Sequence, residues 1–253
     1  MVSEFIKSIK VKQNTDADCY IKYDLAPLEL PKNIRIKFLK TGSLQYISHL
    51  DLHRLINRAL VRAGIPIWYT KGFNPHAKLV FSTPMSVGTE SEYEFLDIRI
   101  DKKMSPEEIM RRLNAELTDE LCITDAYIPD SDFSEIAYAT YDIRICSEGA
   151  TKETAARLAQ IISTSPLNVV KKTKSGEKEI DIVPLIKSCD VGFSDGVIFI
   201  SATLSASVGE FLNPELLITA IKRECGLLSG NPTKEWYTIM RTSVRQADMT
   251  LFR

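Results

Sequence analysis

The sequence has almost no excess of charge: 32 lysines and arginines stand against 33 aspartates and glutamates, a formal net charge of −1. Bulk attraction to nucleic acid or to an anionic membrane is thereby excluded, and any polyanion must be held by a local patch. Paired cysteines are lacking as well. Cys19, Cys122, Cys146, Cys189 and Cys225 are odd in number and widely spaced, with no C-x-x-C pair to hold zinc, an iron–sulfur cluster or a redox disulfide. No apolar run approaches the length needed to cross a bilayer, and the opening "MVSEFIKSIKVKQNTDADCY" has no continuous apolar secretion signal. A cytoplasmic protein with reduced thiols and no membrane partner is expected. Neither G-x-x-x-x-G-K-[ST] nor G-x-G-x-x-G occurs, so the loops of nucleotide hydrolysis and dinucleotide redox chemistry are missing and no cofactor is expected.

What is present is a folded chain, with 44% hydrophobic and 26% charged residues, a balance that disordered sequences do not show. Residues 1–33 have mixed charge, Pro27 and Pro31, and no sustained periodicity, and read as an extension. "NIRIKFLK" then alternates with period two and predicts a strand carrying Ile34, Ile36 and Phe38 on one face. In "SHLDLHRLINRALVRAG", Ser48 offers an N-cap with Asp51 three residues on. Leu52, Leu55, Ile56, Ala59, Leu60 and Ala63 form an apolar stripe, and Gly64 then Pro66 end the helix. "IPIWYTKG" and "AKLVFSTP" flank the turn "GFNPH" and "EYEFLDIRI" alternates cleanly, so two or three strands are expected between residues 66 and 100. "SPEEIMRRLNAEL" follows as a helix with a serine cap and proline at its first position, and "CITDAYIP" as a strand.

That order, strand, helix, strand, strand, helix, strand, is the split βαβ or ferredoxin-like motif. The second half repeats it with "YATYDIRI", "TKETAARLAQIIS", "EKEIDIVPLI", "GVIFISATLS", "NPELLITAIKREC" and "EWYTIMRTSV". Ser105 lies 71 residues beyond Ile34, Asn213 lies 72 beyond Tyr141, and "SPEEI" and "NPELL" share cap, proline and glutamate. The expectation is an α+β protein of two tandem ferredoxin-like halves, residues 34–129 and 130–253, produced by internal duplication.

Chemistry concentrates in the first half. His49 and His53 are one helical turn apart, and His76 in the Asn-Pro turn offers a third imidazole. The three are candidate zinc ligands or, with Asp51 beside them, candidate acid–base groups. Arg54, Arg58 and Arg62 recur every four residues, and Lys71 and Lys78 flank the turn, where Gly72 lets backbone approach a ligand. Tyr69 and Phe73, with Trp68 and Phe81, interleave with these charges as bases on which nucleotides could stack. The competing reading pairs the arginines with Glu90, Glu92 and Glu94 and puts the rings in the core. "KKTKSGEKE" reads as a lysine-rich hairpin tip around Ser175 and Gly176.

The stretch from Arg35 to Ile98 resembles a family of bacterial radical-SAM-associated proteins, a domain of unknown function. The resemblance is carried by Ser48-His49-Leu50-Asp51, by Gly72-Phe73-Asn74-Pro75-His76, and by Gly88, Ser91 and Glu94. It extends more diffusely over residues 34–245. The resemblance implies a radical SAM enzyme as partner. The chain has no cysteine triplet for a [4Fe–4S] cluster and so is not itself the radical enzyme. A weaker likeness, of architecture alone, is to CRISPR repeat-processing endoribonucleases and implies RNA binding. The leading expectation is an accessory RNA-binding or substrate-presenting protein. In it Ser48, Gly72, Asn74, Pro75, Gly88, Ser91 and Glu94 shape the loops around the basic and aromatic residues. Its rivals are a histidine-dependent or metal-assisted RNA-processing hydrolase and an interaction module for the radical enzyme.

Overall fold

The structure, a computed structural model, describes residues 25–253 apart from 165, 174 and 175, with no side chains at 172 and 173. Most of the expected 1–33 extension, including Cys19, therefore lies outside the described residues, as do Lys174 and Ser175 of the lysine-rich tip. Two units divide the chain. The first holds the residues up to Pro84 together with Tyr93–Ser131, and the second holds Met85–Glu92 with Asp132–Arg253. Strand β3 (Thr89–Lys102) is shared out between them, its first four residues belonging with the second unit. The chain is mixed α+β, with four α-helices among the described residues and both parallel and antiparallel strand pairs.

In the first unit, β1 (Pro27–Lys40) is followed by a 3-10 turn at Gly42–Tyr46 and α1 (His49–Arg62). Then come β2 (Leu79–Phe81), the second part of β3, α2 (Pro106–Glu116) and β4 (Leu121–Tyr127). The strands are ordered β4-β1-β3-β2. β1 begins at Pro27, seven residues before the alternating pattern that located it. Its early residues are mostly exposed, so they carry no apolar periodicity, and a proline can open a strand because the first N–H need not enter the ladder. Ile34, Ile36 and Phe38 turn to one core with Leu52, Ile56, Ala59 and Leu60 of α1 and Leu96, Ile98 and Ile100 of β3. Each such aliphatic side chain contributes about 1.5–3 kcal/mol on burial.

The helix ends follow from local chemistry. Ser48 Oγ accepts the Asp51 N–H at 3.2 Å and donates to the Asp51 carboxylate at 2.7 Å. Past Ala63, Gly64 takes φ +63, and the Ile65 N–H returns to the Leu60 carbonyl at 3.1 Å. This closes the helix as a Schellman turn that a side chain at Gly64 would strain. Ser105 caps α2 with Pro106 at its first position, as read from "SPEEI".

The second unit contains β5 (Tyr138–Cys146), α3 (Lys152–Ile162), β6 (Asn168–Thr173), β7 (Gly176–Asp181), β8 (Ile186–Ser194), β9 (Val197–Ser205), α4 (Pro214–Cys225) and β10 (Trp236–Arg245). Four of its strands are ordered β10-β5-β9-β8, with Thr89–Ser91 of β3 running parallel to Ile239–Arg241 of β10. β6 and β7 form a separate antiparallel hairpin. "EKEIDIVPLI", expected as a single strand beside "GVIFISATLS", is divided instead: β7 ends at Asp181, Val183–Leu185 makes a 3-10 turn, and β8 supplies the partner of β9. The turn arises where Pro184 removes a donor. Tyr141, Ile143, Ile145, Leu158, Ile198, Ile200, Leu217, Ile221 and Ile239 are buried in this unit's core.

Candidate functional site

The first unit carries the site. Of the two or three strands expected between residues 66 and 100, β2 and β3 form, and "IPIWYTKG" does not become a third. Ile67 and Tyr69 make only isolated bridges, to Ile100 and Ala77 respectively, and β2 shortens to three residues. The intervening chain leaves the edge of β3 as a loop that closes on itself. Thr70 N–H donates to the His76 carbonyl at 3.0 Å and His76 N–H to Thr70 Oγ1 at 3.1 Å. His76 Nδ1 lies 3.1 Å from Thr70 Oγ1 and 3.2 Å from the Asn74 carbonyl oxygen. Beyond that neck Lys71, Gly72, Phe73, Asn74 and Pro75 are exposed, and Phe73 is exposed over its whole surface. Gly72, at φ +142, reverses the chain where a side chain is disfavoured. The His76 ring thus staples its own loop.

His49 and His53 have different surroundings. Both rings lie against Phe81, at centroid separations of 5.0 and 6.1 Å, and Phe81 in turn meets Phe38 at 6.3 Å. The three histidines weighed as a metal triad are therefore engaged in two different settings. Among the described residues no three His, Cys, Asp or Glu side chains are grouped to hold a metal ion. Asp51 is equally committed: hydrogen bonds from Ser48 and then Arg54 hold its carboxyl below the ordinary carboxylate range. It orients the helix end and does not touch a histidine by any hydrogen bond found.

The arginine row divides. Arg54 Nη1 meets Asp51 at 3.1 Å, and Arg62 Nε meets Glu116 of α2 at 2.7 Å. Neither pairs with Glu90, Glu92 or Glu94, the partners expected from sequence, because an i,i+3 carboxylate and the neighbouring helix are nearer to hand. Arg58 is exposed and has no partner among the described residues, and the same holds for Lys71 and Lys78. Tyr69 is 44% exposed, while Trp68 lies under the Arg99 guanidinium at 5.2 Å. Gly88 makes a turn at φ +89, before β3. Ser91 and Glu94, expected in a loop, are buried strand residues, and Ser91 Oγ reaches the Arg241 carbonyl at 3.5 Å. Gly88 and Ser91 also belong to the second unit, whereas α1 and the 68–78 loop belong to the first.

One residue escaped sequence reading. Asn57 continues the His49 and His53 row by one more turn, and its buried Oδ1 has no hydrogen-bond partner among the described residues; the same is true of Ser82 Oγ, in the stretch that the sequence marks as a shaped loop. The i, i+4 spacing was the available signal for Asn57.

Fold and site together define an α+β protein whose first unit presents a stapled loop with a bare aromatic tip and free lysines. The family follows from sequence: a model described as "Uncharacterized protein conserved in bacteria (DUF2344)" matches residues 33–214, and the chain belongs to that family. No curated protein matches. Among solved structures, a chain of a Cbf5–Nop10–Gar1 complex is similar at 10% identity and TM-score 0.47. That similarity covers 95% of this chain, which spans 59% of the length of that one. An unknown protein from Galdieria sulphuraria is similar at 8% identity and TM-score 0.24, over 84% of this chain and 99% of that one. Among the described residues no helix is long and apolar enough to cross a membrane.

Proposed function

We propose that the chain is an accessory protein that binds single-stranded RNA, or presents an RNA substrate, for a radical SAM modification enzyme in the cytoplasm. The observation that carries the RNA part is the loop of residues 68–78. A fully exposed Phe73 stands at its tip between Lys71 and Lys78, neither of which has a carboxylate partner among the described residues. A ring with a free face stacks on any base, and unpaired lysines beside it draw the phosphates. Arg58 extends that charge on α1, whereas Arg54 and Arg62 are already engaged. The partner rests on the sequence resemblance described above. We further propose that each unit is one ferredoxin-like half of a duplicated chain. The orders β4-β1-β3-β2 and β10-β5-β9-β8 support this, since each reads as fourth, first, third and second strand of a βαββαβ unit once the β6–β7 hairpin is set aside.

Filter binding of total RNA tests the function. Affinity is expected to fall steeply with salt, and the Lys71→Ala, Lys78→Ala double variant to lower the slope by about 2. Folded protein that retains no RNA at low salt would overturn the proposal. The interaction-module reading is favoured by one observation: Tyr46 and Leu50, 68% and 66% exposed, add apolar surface around the start of α1. Co-purification with the radical enzyme that survives ribonuclease and high salt would select it.

A further inference from the structure

The second unit holds a cavity that the proposed function does not use. Registers across its strands place residues in rows on the face opposite the helices: Thr238, Arg144, Phe199 and Gly192 in one row, and Met240, Asp142, Ser201 and Asp190 in the next. Their neighbours Ile143, Ile145, Ile198 and Ile200 point the other way, into the core. A cavity of about 440 Å³ opens over these rows, lined by Asp142, Arg144, Asp190, Gly192, Phe199 and Ser201 among others. Its size falls within the range of small-molecule sites. Nothing stands within 4 Å of where a side chain at Gly192 would project, so the flank of Phe199, itself 38% exposed, is open.

Asp142, Arg144 and Asp190 make no ion pair among the described residues. The Arg144 guanidinium lies 5.8 Å from the Phe199 ring centre and makes no hydrogen bond among the described residues. Ser201 donates to Asp142 Oδ1 at 3.0 Å, fixing that carboxylate with its other oxygen free, and Asp190 accepts no hydrogen bond in the described residues. Two carboxylates against one guanidinium repel a phosphate. A peptide arginine would have to share the Phe199 face with the like-charged Arg144. A neutral planar ring avoids both objections. The ring must offer adjacent N–H donors to a carboxylate and adjacent acceptors to a guanidinium. The strand positions of Asp142 and Arg144 are roughly 7 Å apart, two residues along one strand, so both edges can belong to a single ring. Guanine has this pattern, with N1–H and N2–H on one edge and O6 and N7 on the other; adenine and cytosine lack the paired donors.

We infer that the open sheet face of the second unit binds an unpaired guanine, stacked on Phe199. Asp142 or Asp190 accepts from N1–H and N2–H, and Arg144 donates to O6 or N7. The inference rests on the RNA-binding reading for the source of the base, but on different residues. NMR titration with guanosine and with the RNA pentamers UUGUU and UUAUU tests it. Saturable shifts in the amides of β5, β8 and β9 are expected for guanosine and UUGUU, with UUAUU about tenfold weaker. Phe199→Ala and the Asp142→Asn, Asp190→Asn double variant, all at exposed positions, are expected to abolish the preference at unchanged melting temperature, while Phe73→Ala leaves it. Shifts that are absent from these strands, or equal for the two pentamers, overturn the assignment, as does tighter binding of N-acetylarginine amide than of guanosine. Guanosine binding in a protein that retains no total RNA on filters would sink the proposed function alone.

Discussion

Arg35 in β1 and Arg144 in β5 occupy the first strand of their respective units, and each projects from the sheet face opposite its helices, yet the two side chains have opposite fates. Arg35 is 1% exposed. Its Nε and Nη2 hold the two oxygens of Asp97 at 2.8 and 2.9 Å, and its Nη1 reaches Ser131 Oγ at 2.8 Å. Arg144 is exposed over Phe199 with its donors unused among the described residues. The difference teaches what separates a structural cation from a recognition cation. Once all the donors of a guanidinium meet protein acceptors out of water, removing it strands a carboxylate. While they face solvent, a ligand can still claim them.

The largest effect expected from this contrast is on stability. Arg35→Ala leaves Asp97 without its fork and is expected to cost about 3–5 kcal/mol, whereas Arg144→Ala is expected to stay within about 0.5 kcal/mol. Urea midpoints that shift equally for the two variants would break the comparison. Next comes recognition: Phe73→Ala, which removes a ring with no packing role, is expected to weaken RNA binding by about tenfold at unchanged melting temperature. Equal affinity to the parent in filter binding would remove the loop from the interface.

A smaller effect separates structural ion pairs by pH. Arg111, with Arg112 beside it, pulls the Glu108 carboxyl from 4.5 down to about 2. A carboxyl depressed on folding adds stability that is complete above pH 4.5 and is lost as pH falls toward 2. With solvent screening at a side chain 31% exposed, Glu108→Gln is expected to cost about 1 kcal/mol at neutral pH. Urea titrations at neutral pH and at pH 2 check it, since parent and variant should converge in acid. Smallest of all, Arg54→Ala should leave the urea midpoint unchanged, because its pair with Asp51 is open to water on both sides.

Much of this was legible beforehand where the governing interaction is local. Ser48, Gly64, Ser105 and Pro106 mark helix ends because the unsatisfied amides and carbonyls of a helix lie within a few residues of the groups that satisfy them. The alternation of β1 placed Ile34, Ile36 and Phe38 on one face for the same reason, since side chains on a strand point to opposite faces regardless of topology. Local pattern failed at "EKEIDIVPLI" and left open whether "IPIWYTKG" pairs. Whether an alternating stretch becomes a strand depends on a partner edge, and the partner of β9 turned out to be β8.

The amino-acid order by itself determined where the helices begin and end, which faces are apolar, and that a basic and aromatic turn follows the first helix. Tertiary structure alone decided which of those charged groups remain free. It tied Arg62 to a helix distant in sequence, stapled His76 into its own loop and set His49 and His53 against Phe81. It also drew Asp142, Arg144, Asp190 and Phe199 from three strands to one cavity. The physical reason is that a cap is settled by atoms a few bonds away, while the availability of a charge depends on every acceptor the fold brings within reach.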